Sequence, residues 1–151
     1  MKKRFSTEGA SINYLVNYLE KHGYTDVHAT QLDNQFEHYD VTATHPLGYK
    51  YQMEVKRRYH NHDKYLDTVV ESTKFFSMLT DVYTKKIDGA WVVTMFNDIW
   101  TVSNAITPIF HSRHLVDHTT ELGDNTKVWK DFLHYSLQKR FKYENESDEI
   151  I

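Results

Sequence analysis

Apolar residues near the start of the chain recur at intervals of three and four, which is the spacing of one face of an α-helix. These positions are Ile12, Leu15, Val16 and Leu19. Ser6 or Thr7 can cap such a helix, and Gly23 can end it. The pattern therefore predicts a helix over residues 7–22.

A β-hairpin is predicted next, because two stretches of β-forming residues, 39–44 and 49–56, are separated by a turn sequence. In that turn, Pro46 restricts φ, and Gly48 can adopt the left-handed conformation that closes a three-residue loop. The hairpin is then centred on Leu47. This centre sets the register, and a slip of one residue would exchange the two faces of the hairpin.

In this register, Asp40 and Glu54 are equidistant from Leu47 and are predicted to be cross-strand neighbours. Lys56 projects from the same face, because alternate residues of a strand point the same way. The opposite face is apolar and consists of Val41, Ala43, Met53 and Val55. Two like charges opposite each other destabilise a hairpin unless a cation lies between them, so the pattern indicates a site. The alternative is a surface salt bridge, in which Lys56 neutralises one of the acids.

The other elements are predicted from shorter patterns. They are a strand over 26–31, a helix from Leu66 to about Leu79, a central strand over 89–96, a strand over 99–102 and a final helix over about 125–141. The predicted order is therefore α, β, β, β, α, β, β, α. No internal repeat or linker interrupts it.

Composition narrows the class of protein. The chain has 151 residues, of which 40% are hydrophobic, which is enough for one core. We expect a single domain over residues 1–143 and an acidic, frayed tail over 144–151. No apolar run approaches the roughly 18 residues of a membrane span, so a soluble, cytoplasmic protein is expected. With no cysteine, any metal must be bound by carboxylates, imidazoles or backbone oxygens.

The net charge of −3 is unusual for a protein that simply coats nucleic acid, since binding phosphates requires surplus cations. A local basic cluster nevertheless follows the second hairpin strand and includes Arg57, Arg58 and Lys64. These residues are candidates for contacts with a nucleic-acid backbone. The alternative is a solvated loop without function.

Histidine suggests a second kind of metal site. The ten histidines include a pair at His60 and His62 and a group at His111, His114 and His118. The spacing of the second group would bring the imidazoles together for zinc only if residues 111–118 were helical. Otherwise these are exposed polar residues.

The residues Tyr39-Asp40 and Glu54-Val55-Lys56, taken with the order of elements, resemble the PD-(D/E)xK nuclease superfamily. Tyr39 stands where the family has the proline of its name. The resemblance implies an α/β, restriction-endonuclease-like fold with an αβββαβ core and a mixed central sheet flanked by helices. The predicted C-terminal helix is extra to that core.

Holliday-junction resolvases of this superfamily also carry an acid on the first helix, and Glu8 matches it. The helical period places Glu8 on the same stripe as the apolar residues of that helix. The alternative is an acid that only complements the helix dipole. Lys74, on the second helix, lies where relatives often have a polar residue near the phosphate.

The resemblance implies a metal-dependent endonuclease that hydrolyses DNA phosphodiester bonds, including branched or junction DNA. Mg²⁺, or Mn²⁺ as a substitute, would be bound by Asp40, Glu54, Glu8 and the main-chain carbonyl of Val55. Lys56 would orient or deprotonate the attacking water. By analogy the protein is expected to be a homodimer. The alternatives are a binding module that keeps the fold without catalysis, and an RNA-cleaving or exonucleolytic enzyme.

Overall fold

The structure is a computed structural model that describes residues 5, 7–29, 39–65, 67–104, 112–119, 125–134 and 138–144. The described helices are α1 (Glu8–Lys21) and α2 (Ser72–Tyr83). The described strands are β1 (Thr25–Ala29), β2 (Val41–Thr44), β3 (Lys50–Arg57), β4 (Asp67–Glu71), β5 (Gly89–Met95), β6 (Ile99–Asn104), β7 (Ser112–Thr119), β8 (Asn125–His134) and β9 (Lys139–Lys142). Neither described helix is long and apolar enough to cross a membrane.

Six strands form a mixed sheet in the order β1-β2-β3-β5-β6-β9. The neighbours β3 and β5 are parallel, and the other neighbouring pairs of this sheet are antiparallel. A parallel pair requires a crossover connection, which here contains α2. A second sheet has the order β4-β8-β7. The mixed central sheet flanked by helices confirms the predicted fold class.

Helix α1 begins and ends within one residue of its predicted limits. The Thr7 side chain caps it by accepting a hydrogen bond of 3.1 Å from the Ala10 N–H. After the helix, Gly23 adopts a positive φ of 87°, a conformation that favours glycine. The buried apolar residues of α1 are Ile12, Leu15 and Leu19. They pack in one core cluster with the apolar side of the hairpin, which includes Val41, Ala43, Met53 and Val55.

Helix α2 covers the opposite face of the sheet. Its buried Met78 packs with Ala90 and Val92 of β5. Successive strand residues point to opposite faces, and Glu54 pairs with Val92 across the parallel β3–β5 ladder. The face under α2 is therefore the face that carries Glu54 and Lys56.

The hairpin register is confirmed. The pairs Val41↔Met53, Thr42↔Gln52, Ala43↔Tyr51 and Thr44↔Lys50 are all centred on Leu47. In the turn, the Gly48 N–H donates to the His45 carbonyl over 2.7 Å. Gly48 has the predicted positive φ, at 94°. Local turn chemistry was therefore sufficient to predict which side chains share a face.

The predicted C-terminal helix is wrong, because residues 125–134 form strand β8, which pairs with β4 and β7. The predicted second helix also starts too early, since residues 67–71 form β4. The helix prediction rested on apolar positions four apart, such as Val128 and Phe132. A spacing of four places two residues on one face of a helix and equally on one face of a strand. Pairing between distant strands decided between the two.

One residue of the tail predicted over 144–151, Glu144, is described. Glu144 contacts the end of α1, where its carboxylate lies 3.2 Å from Lys21 Nζ and 2.7 Å from His22 Nε2. The preceding Tyr143 is buried, and its hydroxyl donates to the Phe96 carbonyl over 2.5 Å. The rest of the predicted tail, 145–151, lies outside the described residues.

Candidate active site

Glu54 lies in the middle of β3, and its side chain is only 1% exposed. Two lysines reach the same oxygen of this carboxylate. Lys56 Nζ, from the same strand face, lies 2.9 Å from Glu54 Oε1, and Lys74 Nζ, from the first turn of α2, also lies at 2.9 Å. The strand and the helix that covers it thus each supply one cation to a buried acid.

The second oxygen of Glu54 has a different environment. Among the described residues, Glu54 Oε2 is buried and has no hydrogen-bond partner. Leaving a buried acceptor without a donor costs about 1–3 kcal/mol, and more for a charged group. Packing alone gives no reason to place a carboxylate oxygen there. The arrangement leaves one oxygen of the acid available for a ligand.

Asp40 immediately precedes β2 and is tied to β3 by two hydrogen bonds. Its main-chain N–H donates to the Met53 carbonyl over 2.9 Å, and its Oδ2 accepts from the Val55 N–H over 2.8 Å. Burial, and then the nearby charge of Glu54, raise the pKa of Asp40 to about 7. The Val55 hydrogen bond and Lys74 oppose this rise, and Glu8 adds to it. The charge of Asp40 is therefore coupled to those of Glu54, Lys74 and Glu8.

Glu8 is the first residue of α1, and its side chain is exposed. The prediction that it lies on the buried stripe of the helix is wrong, because burial along α1 begins at Ser11 and Ile12. Its charge still acts on Asp40. Glu8, Asp40 and Glu54 do not place three ligand atoms within 4.8 Å of one another. Glu8 thus acts on Asp40 through its charge and does not form a compact ligand group with Asp40 and Glu54.

Lys74, on α2, pairs directly with Glu54, which the sequence did not predict. Burial disfavours the charged form of Lys74, but Glu54, and then Asp40, outweigh it and raise the pKa of Lys74. The sequence placed this lysine only near a phosphate. Its pairing with Glu54 depends on how α2 crosses the sheet, and no local pattern carries that information.

The other basic candidates lie at or beyond the end of β3. The Arg57 guanidinium stacks 4.3 Å above the Tyr59 ring. Arg58 donates to the Arg57 carbonyl, and burial lowers the pKa of Arg58. Lys64 Nζ lies 5.4 Å from the centre of the Tyr65 ring. These cations are interleaved with aromatic rings on one segment next to the candidate site.

A further group of potential metal ligands was not predicted as such. Within the described part of the chain, one group has three ligand atoms mutually within 4.8 Å, and it consists of His62, Asp63 and Asp98. Asp98 accepts from the His62 N–H over 3.0 Å and lies 2.5 Å from its Nδ1. Burial acts to raise the pKa of Asp98, but the His62 hydrogen bonds outweigh it and lower that pKa. These contacts join the loop after β3 to the β5–β6 turn.

The other histidine hypothesis required a helix over residues 111–118. Residues 112–119 instead form strand β7, while His111 lies outside the described residues. In a strand, residues three apart point to opposite faces. The premise of a helical zinc site there is therefore wrong.

No family model matches the chain, and no curated protein matches it. Among solved structures, it is similar to Hjc, a Holliday junction resolvase from the archaeal hyperthermophile Archaeoglobus fulgidus. The TM-score is 0.54 at 16% sequence identity, and the match covers 83% of this chain and 86% of the other. At this identity the match concerns the fold. The chain thus has the fold of Hjc, a resolvase of the restriction-endonuclease-like PD-(D/E)xK superfamily.

Proposed function

We propose that the protein is a metal-dependent endonuclease that hydrolyses DNA phosphodiester bonds, with branched DNA as a substrate. The observation that carries this proposal is the surroundings of Glu54. One of its oxygens meets two lysines, the other is buried without a partner in the described part of the chain, and its charge raises the pKa of Asp40. Holding these charges close together destabilises the fold, and groups whose pKa values are shifted in this way cluster at catalytic sites.

The donor set fits Mg²⁺ or Mn²⁺. Hard divalent cations prefer oxygen ligands, and Asp40 and Glu54 offer two carboxylates. Burial, and then the charge of Glu54, raise the pKa of Asp40. These two acids would bind the ion, with the Val55 carbonyl as a third ligand and Glu8 acting through water. A bound cation would supply Lewis-acid stabilisation of the charge that develops on the phosphate.

The lysines of the site have roles that follow from their positions. Lys56 lies on the face of Glu54, where its ammonium can donate to a phosphate oxygen and hold the attacking water in line. Lys74 approaches the same carboxylate from α2, so that its charge stabilises the ionised acids. Positioned donors of this kind typically contribute about 10²–10³ in rate.

The substrate would extend along the basic segment beyond β3. Arg57, Arg58 and Lys64 are proposed to contact the DNA backbone, which positions the strand without reading its sequence. A homodimer is proposed because one domain presents one hydrolytic centre, whereas a duplex or a junction has more than one strand to cut. The fold shared with Hjc makes a four-way junction the first substrate to test.

Cleavage of labelled four-way junction, linear duplex, single-stranded DNA and RNA tests the proposal, with Mg²⁺, Mn²⁺ or EDTA. We expect metal-dependent cutting of DNA that falls about 10²–10³-fold in Lys56→Met and at least as far in Asp40→Asn. Matched controls are Lys85→Met and Asp88→Asn. Lys85 is exposed beyond α2, and Asp88 accepts from the Lys50 N–H at the start of β3.

The outcomes separate the alternatives. A folded wild-type protein that binds junction DNA but cleaves no substrate with any metal would indicate a binding module. Cleavage confined to RNA would identify the alternative substrate. Full activity in both site variants would place the chemistry elsewhere in the protein.

A further inference from the structure

A cavity of about 520 Å³ lies beside the candidate active site. It is lined by the hairpin, including Thr42 and Gln52, and by the end of α2 with the residues that follow it, including Asp81 and Lys86. Gln52 lies two residues before Glu54 on β3, on the same face, so the two positions are about 7 Å apart. The volume is within the range of pockets that bind small organic groups.

Gln52 has an unusual environment in this cavity. The side chain is only 5% exposed, and its Nε2 donates to Asp81 Oδ2 over 2.9 Å. An ionised carboxylate only accepts hydrogen bonds, so this contact determines which way the amide points. Among the described residues, Gln52 Oε1 is buried and has no hydrogen-bond partner. The cavity wall thus includes a polar acceptor that lacks a donor.

The rest of the lining suggests what would supply that donor. Tyr39 contributes an aromatic ring, and Lys86 contributes a cation. Aromatic rings stack on nucleobases, and an ammonium group binds phosphate. Tyr39 also directly precedes Asp40 in the chain, so one residue of the lining adjoins the acid.

We propose that this cavity binds the base of an unpaired nucleotide next to the phosphate that is cut, and that it prefers a base with an exocyclic amino group. The inference rests on the proposed nuclease function. The amino group of cytosine donates to Gln52 Oε1, which satisfies the buried acceptor. Uracil presents a carbonyl at that position, and two acceptors facing each other are unfavourable.

Binding without metal tests this inference independently of cleavage. In EDTA, fluorescence anisotropy measures affinity for single-stranded oligonucleotides that contain either dC or dU, which have nearly the same shape. We expect wild type to bind the dC strand about tenfold more tightly. In Gln52→Met, which keeps the volume but loses the acceptor, the ratio falls to near one.

A second variant changes the orientation of the amide rather than removing it. In Asp81→Asn, the partner can donate as well as accept, so the Gln52 amide can turn over and present its Nε2 instead. The dC preference is then reduced or reversed. Lys86→Gln weakens binding of both strands, whereas the matched control Lys85→Gln, next to it but outside the lining, has no effect. Thermal unfolding of each variant confirms that it is folded.

Equal affinity of wild type for the two strands would overturn the inference, and so would an unchanged preference in Gln52→Met. Free dCMP that binds as tightly as the oligonucleotide would replace DNA with a mononucleotide as the ligand, which also overturns it. A dC preference without any cleavage would support the base-binding cavity and refute the nuclease, and with it the placement of the base next to a phosphate that is cut. Junction cleavage that depends on Asp40, without a dC preference in binding, would overturn the inference and leave the nuclease function standing.

Discussion

A buried carboxylate, Glu54, and a partly buried one, Asp40, characterise the candidate site at the scale of single residues. Two lysines compensate one oxygen of Glu54, and the Val55 N–H donates to Asp40 Oδ2. Burial, and then the charge of Glu54, raise the pKa of Asp40 to about 7. Asp40 would have to ionise to bind a cation, and its surroundings in the fold disfavour that ionisation.

This resistance predicts how stability depends on pH in the metal-free protein. The pKa of Asp40 rises from 3.8 to about 7 on folding, so between these values the unfolded chain has lost a proton that the folded chain retains. The free energy of unfolding then falls as pH increases through this window, and the decrease levels off above it. We expect this group to contribute on the order of 2–4 kcal/mol.

The measurement is urea unfolding in EDTA from pH 4 to pH 8. Asp40→Asn, which has no such proton, should lack this part of the decline, so that it gains stability relative to wild type as pH rises. Asp88→Asn, the control, should follow wild type. Parallel curves for wild type and Asp40→Asn would mean that Asp40 titrates normally.

The hairpin of β2 and β3 is the element on which the site depends, because its register decides which side chains accompany Glu54. Its turn contains Gly48, whose φ of 94° few other residues tolerate. A glycine inside a helix has the opposite effect on stability. It loses more conformational freedom on folding than alanine does, and the helix does not require a positive φ. Gly9, in the first turn of α1, is such a residue.

Replacing each glycine by alanine should therefore change stability in opposite directions. Gly48→Ala should destabilise the protein by about 1 kcal/mol through backbone strain, although an added Cβ would meet nothing within 4 Å. Gly9→Ala should stabilise it by about 0.5–1 kcal/mol, because its Cβ would meet only the Thr7 Oγ1, at 3.9 Å. Urea unfolding of both variants measures the difference. A neutral or stabilising Gly48→Ala would show that the turn does not require the left-handed conformation.

The last described strand joins the two ends of the chain across the whole molecule. Strand β9 pairs with β6 at the edge of the six-stranded sheet. Phe141 stacks on Trp100 with ring centres 4.5 Å apart, and the buried Tyr143 contacts Phe5 and Tyr14 near the N-terminus. Residues that are far apart in sequence thus complete one core.

Deleting residues 138–151 should cost about 3–6 kcal/mol, since burial of two aromatic side chains contributes about 1.5–3 kcal/mol each. It should also promote association, because β6 becomes an unpaired edge. Deleting only 145–151 retains the described contacts of β9 and should change stability by less than about 0.5 kcal/mol. Thermal unfolding and size-exclusion chromatography test both truncations. Equal stability of the two would show that β9 contributes little to the core.

The sequence alone determined the features that depend on local patterns. Helix α1, the hairpin centred on Leu47 and the central strand β5 follow from short-range periodicity and turn chemistry. That register was sufficient to place Glu54 and Lys56 on one face next to Asp40. The hairpin prediction agrees with the structure because the turn, rather than any distant contact, specifies the register.

Only the tertiary structure decided the features that depend on distant partners. Whether residues 125–134 form a helix or a strand was ambiguous locally, and pairing with β4 and β7 resolved it. The approach of Lys74 to Glu54 and the His62–Asp98 contact depend on how separate elements pack. The exposure of Glu8 depends on where α1 meets the core. Local periodicity specifies which residues share a face, whereas long-range packing decides what that face contacts.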